Sequence, residues 1–162
     1  MNYFELFNLP VAARIDKTLL SLKYFELQKQ NHPDFFTQAS EAEQDSSLQQ
    51  SADINKAFGI FKNDDKTIEY FLQLHNAIVP DEKYILPPAF LMEMMELNET
   101  LNEKDGVTIA QEMADIERPL LEDIEPILSQ PAGHYDATAL EKLKAYYYKK
   151  KYLRRILDRL GD

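Results

Sequence analysis

Cysteine is absent from this 162-residue chain, which excludes disulfides, thiol catalysis and cysteine-ligated metal. Histidine occurs only as His32, His75 and His134, with no i, i+4 pair among them, so any metal chemistry must belong to a partner. Glycine is scarce, at four residues, and no glycine-rich phosphate loop exists. Long hydrophobic runs are missing as well, because charges interrupt every apolar stretch long before it reaches the length of a membrane span. Met1 to Pro10 carries Glu5 rather than a basic region leading into a long apolar segment, and the chain is expected to be cytoplasmic. No nucleophile, base and oxyanion stabiliser fall together, so neither an enzyme nor a cofactor is expected.

What is present is a globular composition, 44% apolar and 28% charged. The net charge of −10 is unevenly spread. Residues 1–75 hold seven basic against eleven acidic side chains, residues 76–139 three against fourteen, and residues 140–162 eight against three. The middle segment is therefore an acidic surface, which repels nucleic acid and anionic lipid and favours a basic protein face. Acidic faces also serve simply to keep a domain in solution.

Apolar residues recur at helical spacing, and strand-like alternation is nearly absent, so the fold is expected to be all-α. Asn2 and Glu5 can cap a short helix carrying Tyr3, Phe4, Leu6 and Phe7 that ends before Pro10. A second helix starts at Asp16, with Ile15 and Leu20 at hydrophobic-staple positions and Leu20, Tyr24 and Leu27 on one face; it cannot pass Pro33. Ser40 and Glu43 form a capping-box pattern opening a third helix that proceeds through Leu48, Ala52, Ile54 and Phe58 to about Phe61. Asp64 opens a fourth through Ile68, Phe71 and Leu74. From His75 to Pro88 no period is visible, and Pro80, Pro87 and Pro88 suggest a linker over 76–87. Phe90, Met94, Leu97 and Leu101 then mark one face of a fifth helix, and Ile109, Met113, Ile116 and Leu120 a sixth. Pro119 is expected to kink the sixth and Pro126 to disrupt its last turns. The seventh, from near Asp136, is expected to use Leu140, Leu143, Tyr147, Leu153 and Leu157. Three helices joined by short polar loops make an antiparallel bundle over 88–162.

Between the second and third helices lies Asn31-His32-Pro33-Asp34. Proline lacks a backbone donor and pushes the residue before it out of helical geometry, so His32 is held at a helix end and Asp34 is turned outward. The same residues also make a plain helix stop, with His32 complementing the C-terminal dipole and Asp34 supporting the turn. A specified tripeptide arises by chance in a chain of this length only on the order of one time in a hundred. Placed between two amphipathic helices, it resembles the His-Pro-Asp loop of a J-domain. Ile54-Asn55-Lys56-Ala57-Phe58, followed by Asp64-Asp65-Lys66 and Tyr70, is similar to the end of that family's third helix and its fourth. The resemblance implies a J-domain over 1–75, a helical hairpin whose His32, Pro33 and Asp34, with Lys23 and Lys29 of the second helix, engage a DnaK-type ATPase and promote hydrolysis. Asp34 is then the residue to accept a charge-assisted hydrogen bond from an arginine of the chaperone. The second helix departs from the family in its thin basic face: Lys17, Lys23 and Lys29 only, with Glu26 among them. Those lysines also fit an ordinary solvated helix face.

If Phe90, Met94, Leu97 and Leu101 are buried, Leu91, Met92 and Met95 project elsewhere, among Glu96, Glu99 and Glu103. Leaving such side chains wet forgoes about 1.5 to 3 kcal/mol each, so an apolar patch edged by carboxylates marks a protein-binding surface unless the bundle covers it. Ala89-Phe90-Leu91-Met92-Glu93 with Met95-Glu96-Leu97 resembles the scaffold-binding helix of the HscB family, J-domain co-chaperones of iron-sulfur cluster assembly. Asn2-Tyr3-Phe4-Glu5-Leu6-Phe7 with Leu9-Pro10 is similar to that family's opening. The resemblance implies that the 88–162 bundle binds the iron-sulfur scaffold IscU through Leu91, Met92, Met95, Glu96, Glu99 and Glu103. It also implies an aromatic contribution from Tyr146, Tyr147 or Tyr148, and recruitment of the chaperone HscA by the J-domain. Pro119 and Pro126 depart from the family's uninterrupted helix. A generic J-domain co-chaperone with another client is the alternative. Lys149, Lys150, Lys151, Arg154, Arg155 and Arg159, with Tyr148 and Tyr152, could track nucleic acid. The acidic segment before them argues instead for pairing within the bundle, and neither nucleic acid nor membrane is expected as a partner.

Overall fold

The computed structural model describes residues 1–133 and 135–159; His134, the third histidine of the sequence, lies outside the described residues. Among the described residues the fold is all-α. Seven helices follow in order: α1 (Tyr3–Leu6), α2 (Lys17–Gln30), α3 (Glu41–Phe61), α4 (Asp64–Leu74), α5 (Pro88–Thr100), α6 (Gly106–Leu128) and α7 (Ala137–Asp158). The chain packs as two compact units, one spanning Met1–Phe71 and the other beginning at Leu72 and containing α5 to α7.

In the first unit the caps fall where short polar side chains precede apolar periodicity. Asn2 accepts from the Glu5 amide at 2.9 Å and Glu5 accepts in return from the Asn2 amide at 3.1 Å. Asp16 accepts from the Leu19 amide and Ser40 from that of Glu43, so α2 and α3 start at residues that satisfy otherwise unpaired donors. The core is aromatic: Phe4, Phe7 and Phe61 are essentially inaccessible, joined by Leu9, Ile15, Leu20, Ile54 and Ala57. Phe4 and Phe61 ring centroids lie 4.8 Å apart, and Phe7 meets Phe61 edge-on at 5.7 Å. Tyr70 stacks on Tyr3 at 5.1 Å and its hydroxyl accepts from the Tyr3 amide at 2.8 Å; burial pushes the Tyr70 phenol above its ordinary pKa, and that hydrogen bond offsets part of the rise.

Antiparallel pairing of α2 and α3 is written in their cross-helix contacts, which descend along α3 as they climb along α2. Tyr24 stacks on Phe58 at 4.0 Å and donates to Asn55, Ser51 donates to Gln28, and Ser47 donates to the Asn31 carbonyl. This polar seam sets the inner face of α3. Ser47, Ile54, Ala57 and Phe61 are buried, whereas Leu48 is 56% exposed and Ala52 is also exposed. The first half of α3 faces α2 through serines, which apolar spacing does not register.

In the second unit, the expected stripe of α5 is buried as a set: Phe90, Met94, Leu97 and Leu101, against Met113, Leu153 and Ile156. Asp105 caps α6, accepting from the Thr108 amide at 2.7 Å, a bond that holds its carboxyl below the ordinary range. The expectation that Pro126 breaks α6 is not met, since the helix continues through Pro119 and Pro126 to Leu128. Both prolines are exposed, as are Asp115 and Glu122 four residues earlier, so water can satisfy the carbonyls they leave unpaired. On α7 the buried face is Ala139, Leu143, Tyr146, Leu153 and Ile156, while Leu140, Tyr147 and Leu157 are only half-buried. The stripe is turned toward Ala139, whose small side chain gives little apolar signal and lets the helix pack closely.

The aperiodic stretch before α5 forms no helix or strand, yet it is fixed. Asn76 and Asp81 adopt left-handed backbone angles, which short polar side chains tolerate. Glu82 bonds to Lys144 at 2.6 Å and accepts from the Tyr148 hydroxyl at 3.0 Å, and Tyr84 stacks on Tyr148 with centroids 4.4 Å apart. The Lys144 ammonium holds the Glu82 carboxyl below its usual range, and burial, aided by that carboxylate, pushes the Tyr148 phenol up to about 12.

Candidate functional site

α2 ends at Asn31, and Pro33–Phe36 form a short 3-10 turn, so the chain reverses at the tripeptide. Asp34 stands open to solvent, its side chain 85% exposed and that of His32 56%. The Asp34 amide donates to His32 Nδ1 at 3.3 Å, and a carboxylate oxygen of Asp34 lies 3.4 Å from the same nitrogen. The Phe35 amide donates to the His32 carbonyl at 3.0 Å, closing the turn.

Sequence periodicity gave no hint of what holds this corner. Asn31 is buried at 8% exposure; its side chain donates to the Leu27 carbonyl at 2.9 Å, and its own carbonyl accepts from Ser47 at 2.9 Å. Gln44 donates to the Phe36 carbonyl at 2.9 Å, with the Thr37 and Ala39 carbonyls at 3.4 and 3.3 Å. Ser47 and Gln44, three residues apart and so on one side of α3, thus pin both sides of the tripeptide. A polar pair facing a neighbouring proline turn was the available signal. A cavity of about 200 Å³ lies beside the corner, lined by Pro33, Phe36, Thr37, Gln44, Ser47 and Leu48. Of the lysines singled out, Lys29 is exposed and Lys23 half-buried, while Lys17 is engaged with Asp64 at 2.6 Å.

On α5, Met92 and Met95 are 64% and 60% exposed, Leu91 is half-buried, and Glu96 and Glu99 are exposed, as is Glu103 in the 3-10 turn Leu101–Glu103 that follows. They lie together on the side away from the buried stripe, an apolar centre rimmed by carboxylates. Of the tyrosine run, Tyr146 is buried and Tyr147 and Tyr148 are half-buried; the aromatic set against α5 is instead Tyr152, edge-on to Phe90 at 6.4 Å, with the Lys149 ammonium 5.7 Å above the Phe90 ring. Lys150 pairs with Glu117 of α6 at 3.2 Å, so part of the basic run on α7 is taken up within the bundle, while Lys151 stays exposed over Tyr147 of its own helix. Among the described residues no helix is long and apolar enough to cross a membrane.

An exposed His-Pro-Asp turn between two antiparallel helices, in a chain that continues into a three-helix bundle, defines a J-domain co-chaperone. Comparison with known proteins narrows the class. The model of the HSCB C-terminal oligomerisation domain matches residues 86–161. The co-chaperone protein HscB homolog of Vibrio cholerae serotype O1 (strain M66-2) is 36% identical over 99% of both chains, and that of Photobacterium profundum is 36% identical over 89% of this chain and 90% of its own. Chaperone HscB from Vibrio cholerae superposes over 99% of both chains with a TM-score of 0.62 at 33% identity. Human co-chaperone protein HscB does so over 99% of this chain and 81% of its own, with a TM-score of 0.79 at 27% identity. The chain belongs to the HscB co-chaperone family.

Proposed function

We propose that the protein is a non-catalytic cytoplasmic adaptor that binds the iron-sulfur scaffold IscU, delivers it to the DnaK-type chaperone HscA and stimulates that chaperone's ATPase. The observation that carries the proposal is Asp34, a carboxylate 85% exposed on a corner fixed from both sides. Such a group can meet a guanidinium bidentately at little ordering cost, which suits it to bias a partner's conformation. In this scheme residues 1–75 act as the J-domain, with His32, Pro33, Asp34, Lys23 and Lys29 toward HscA. Residues 76–87 connect it to the scaffold-binding bundle of 88–162, where Leu91, Met92, Met95, Glu96, Glu99 and Glu103 meet IscU. Methionines suit that role because flexible thioethers adapt to a partner's relief, and the glutamates select a basic surround.

Asp34→Asn keeps the side chain's shape and removes its charge. The variant is expected to abolish stimulation of HscA while melting as the parent does; a folded variant that stimulates normally overturns the chaperone assignment. Titration calorimetry against IscU separates the client assignment, because absence of binding leaves a J-domain protein with another client.

A further inference from the structure

The last helix and the aperiodic stretch before α5, both in the second unit, enclose a basic and aromatic face that the proposed adaptor does not use. Two cavities there, of about 460 and 340 Å³, share Glu82, Tyr148, Lys151 and Arg155 as walls. Tyr148, Lys151 and Arg155 stand at i, i+3 and i+7 on one side of α7. The walls are preset, because Tyr84 stacks on Tyr148 and Glu82 accepts from its hydroxyl. Their charge runs against that of the chain. Within a protein of net charge −10, Lys83, Lys151 and Arg155 line the cavities with Asp81 and Glu82, and Lys144 already matches Glu82 at 2.6 Å. Lys150 on the same helix is likewise matched, by Glu117 at 3.2 Å. Lys151 and Arg155 are exposed and, among the described residues, pair with no carboxylate; neither Asp81 on the wall nor Asp158, one turn past Arg155, forms an ion pair with them. The Lys151 ammonium lies instead 5.7 Å over the Tyr147 ring.

We propose that Lys151 and Arg155, beside the Tyr147 and Tyr148 rings, bind a phosphorylated small molecule, with its phosphates on the two cations and its flat or apolar part on the tyrosines. The inference stands independently of the chaperone and client named above. Residues four apart on a helix are neighbours, so the guanidinium fork and the ammonium can converge on one group of oxygens. Phosphate suits them better than a single carboxylate, because it offers more oxygens and more charge to two donors of different shape. Size selects a small molecule: the cavities lie in the range of small-ligand sites, about 300–1,000 Å³, and the chain before α5 closes one side. A longer polyanion laid along α7 would meet Asp158 one turn beyond Arg155, whereas a compact ligand ends at the two cations.

The test titrates ADP, which joins two phosphates to a flat base, into the full chain by calorimetry. Saturable one-to-one binding is expected. Lys151→Gln with Arg155→Gln should weaken it about tenfold or more, the scale for losing charge-assisted hydrogen bonds, while melting as the parent does because both side chains are exposed. A charge-matched control, Lys56→Gln with Lys66→Gln on the exposed sides of α3 and α4, should bind ADP as the parent does. No saturable binding of ADP, or equal loss in the two double variants, overturns the proposal. Adenosine lacks the phosphates and should not bind; an affinity equal to that of ADP would count against the site in the same way. An acidic peptide or a short oligonucleotide that binds more tightly than ADP and displaces it would assign the face to a macromolecule and overturn the proposal too.

Discussion

At the turn after α2, side chains of α3 reach across to fix backbone carbonyls on either side of Asp34, whereas on α5 nothing but helical periodicity places Met92 and Met95 at the surface. The first arrangement fixes the direction of a single charge. The second leaves flexible side chains free to repack on whatever they meet. On the function proposed above, a contact that triggers chemistry in its partner needs orientation and a contact that holds a client needs area, which the two arrangements would supply separately.

The contrast can be broken most severely at the core. Phe61→Ala removes the ring on which Phe4 and Phe7 pack and is expected to cost about 3–5 kcal/mol, read as lost hydrogen-exchange protection across α2 to α4. Ser47→Ala is smaller and more pointed. It leaves the Asn31 carbonyl without its donor, at about 1–3 kcal/mol, and is expected to lower ATPase stimulation while IscU affinity, followed by calorimetry, holds. Equal loss of both would show that the corner and the α5 patch are not separately built. Tyr148→Phe removes the hydroxyl that Glu82 accepts from and should cost about 1 kcal/mol in denaturant titration. Met92→Ser is expected to stay within about 0.5 kcal/mol of the parent in stability, because the side chain is already wet, while weakening IscU binding severalfold.

A pH series sharpens the same comparison. The Glu82 carboxyl is lowered by Lys144, so its contribution is complete above the ordinary carboxylate value of about 4.3 and is lost as pH falls through the depressed one. The Tyr148 phenol is raised to about 12, so its contribution is present below the ordinary value of about 10 and is lost as pH rises through the raised one. Near-ultraviolet circular dichroism of the Tyr84–Tyr148 stack should therefore change at both extremes, and Glu82→Gln should remove the acid step.

Much of this fold was legible in the sequence because its instructions are local. Asn2 with Glu5, Asp16, Ser40 and Pro33 start and stop helices through their own backbone chemistry, and Phe90, Met94, Leu97 and Leu101 state their face by spacing alone. The His-Pro-Asp corner was readable for the same reason. What escaped was set by neighbours distant in sequence. Ser47 and Ser51 make a polar inner face on α3 only because Asn31 and Gln28 oppose them, and Ala139 becomes a core position only because α7 packs closely. Consecutive tyrosines at 146–148 offer several equally apolar phases, and packing chose one. Pro126 misled because proline's penalty depends on whether water reaches the carbonyl it frees, which composition does not record.

Because Ser47, Gln44 and Asn31 fix the corner within the fold, the chaperone proposed above would meet Asp34 already aimed. Little disorder would have to be removed at each encounter, so less of the contact's favourable energy is lost to ordering than in a mobile loop. For the adaptor proposed above, the ordering cost of aiming that carboxylate would then fall on folding and not on each meeting with its chaperone.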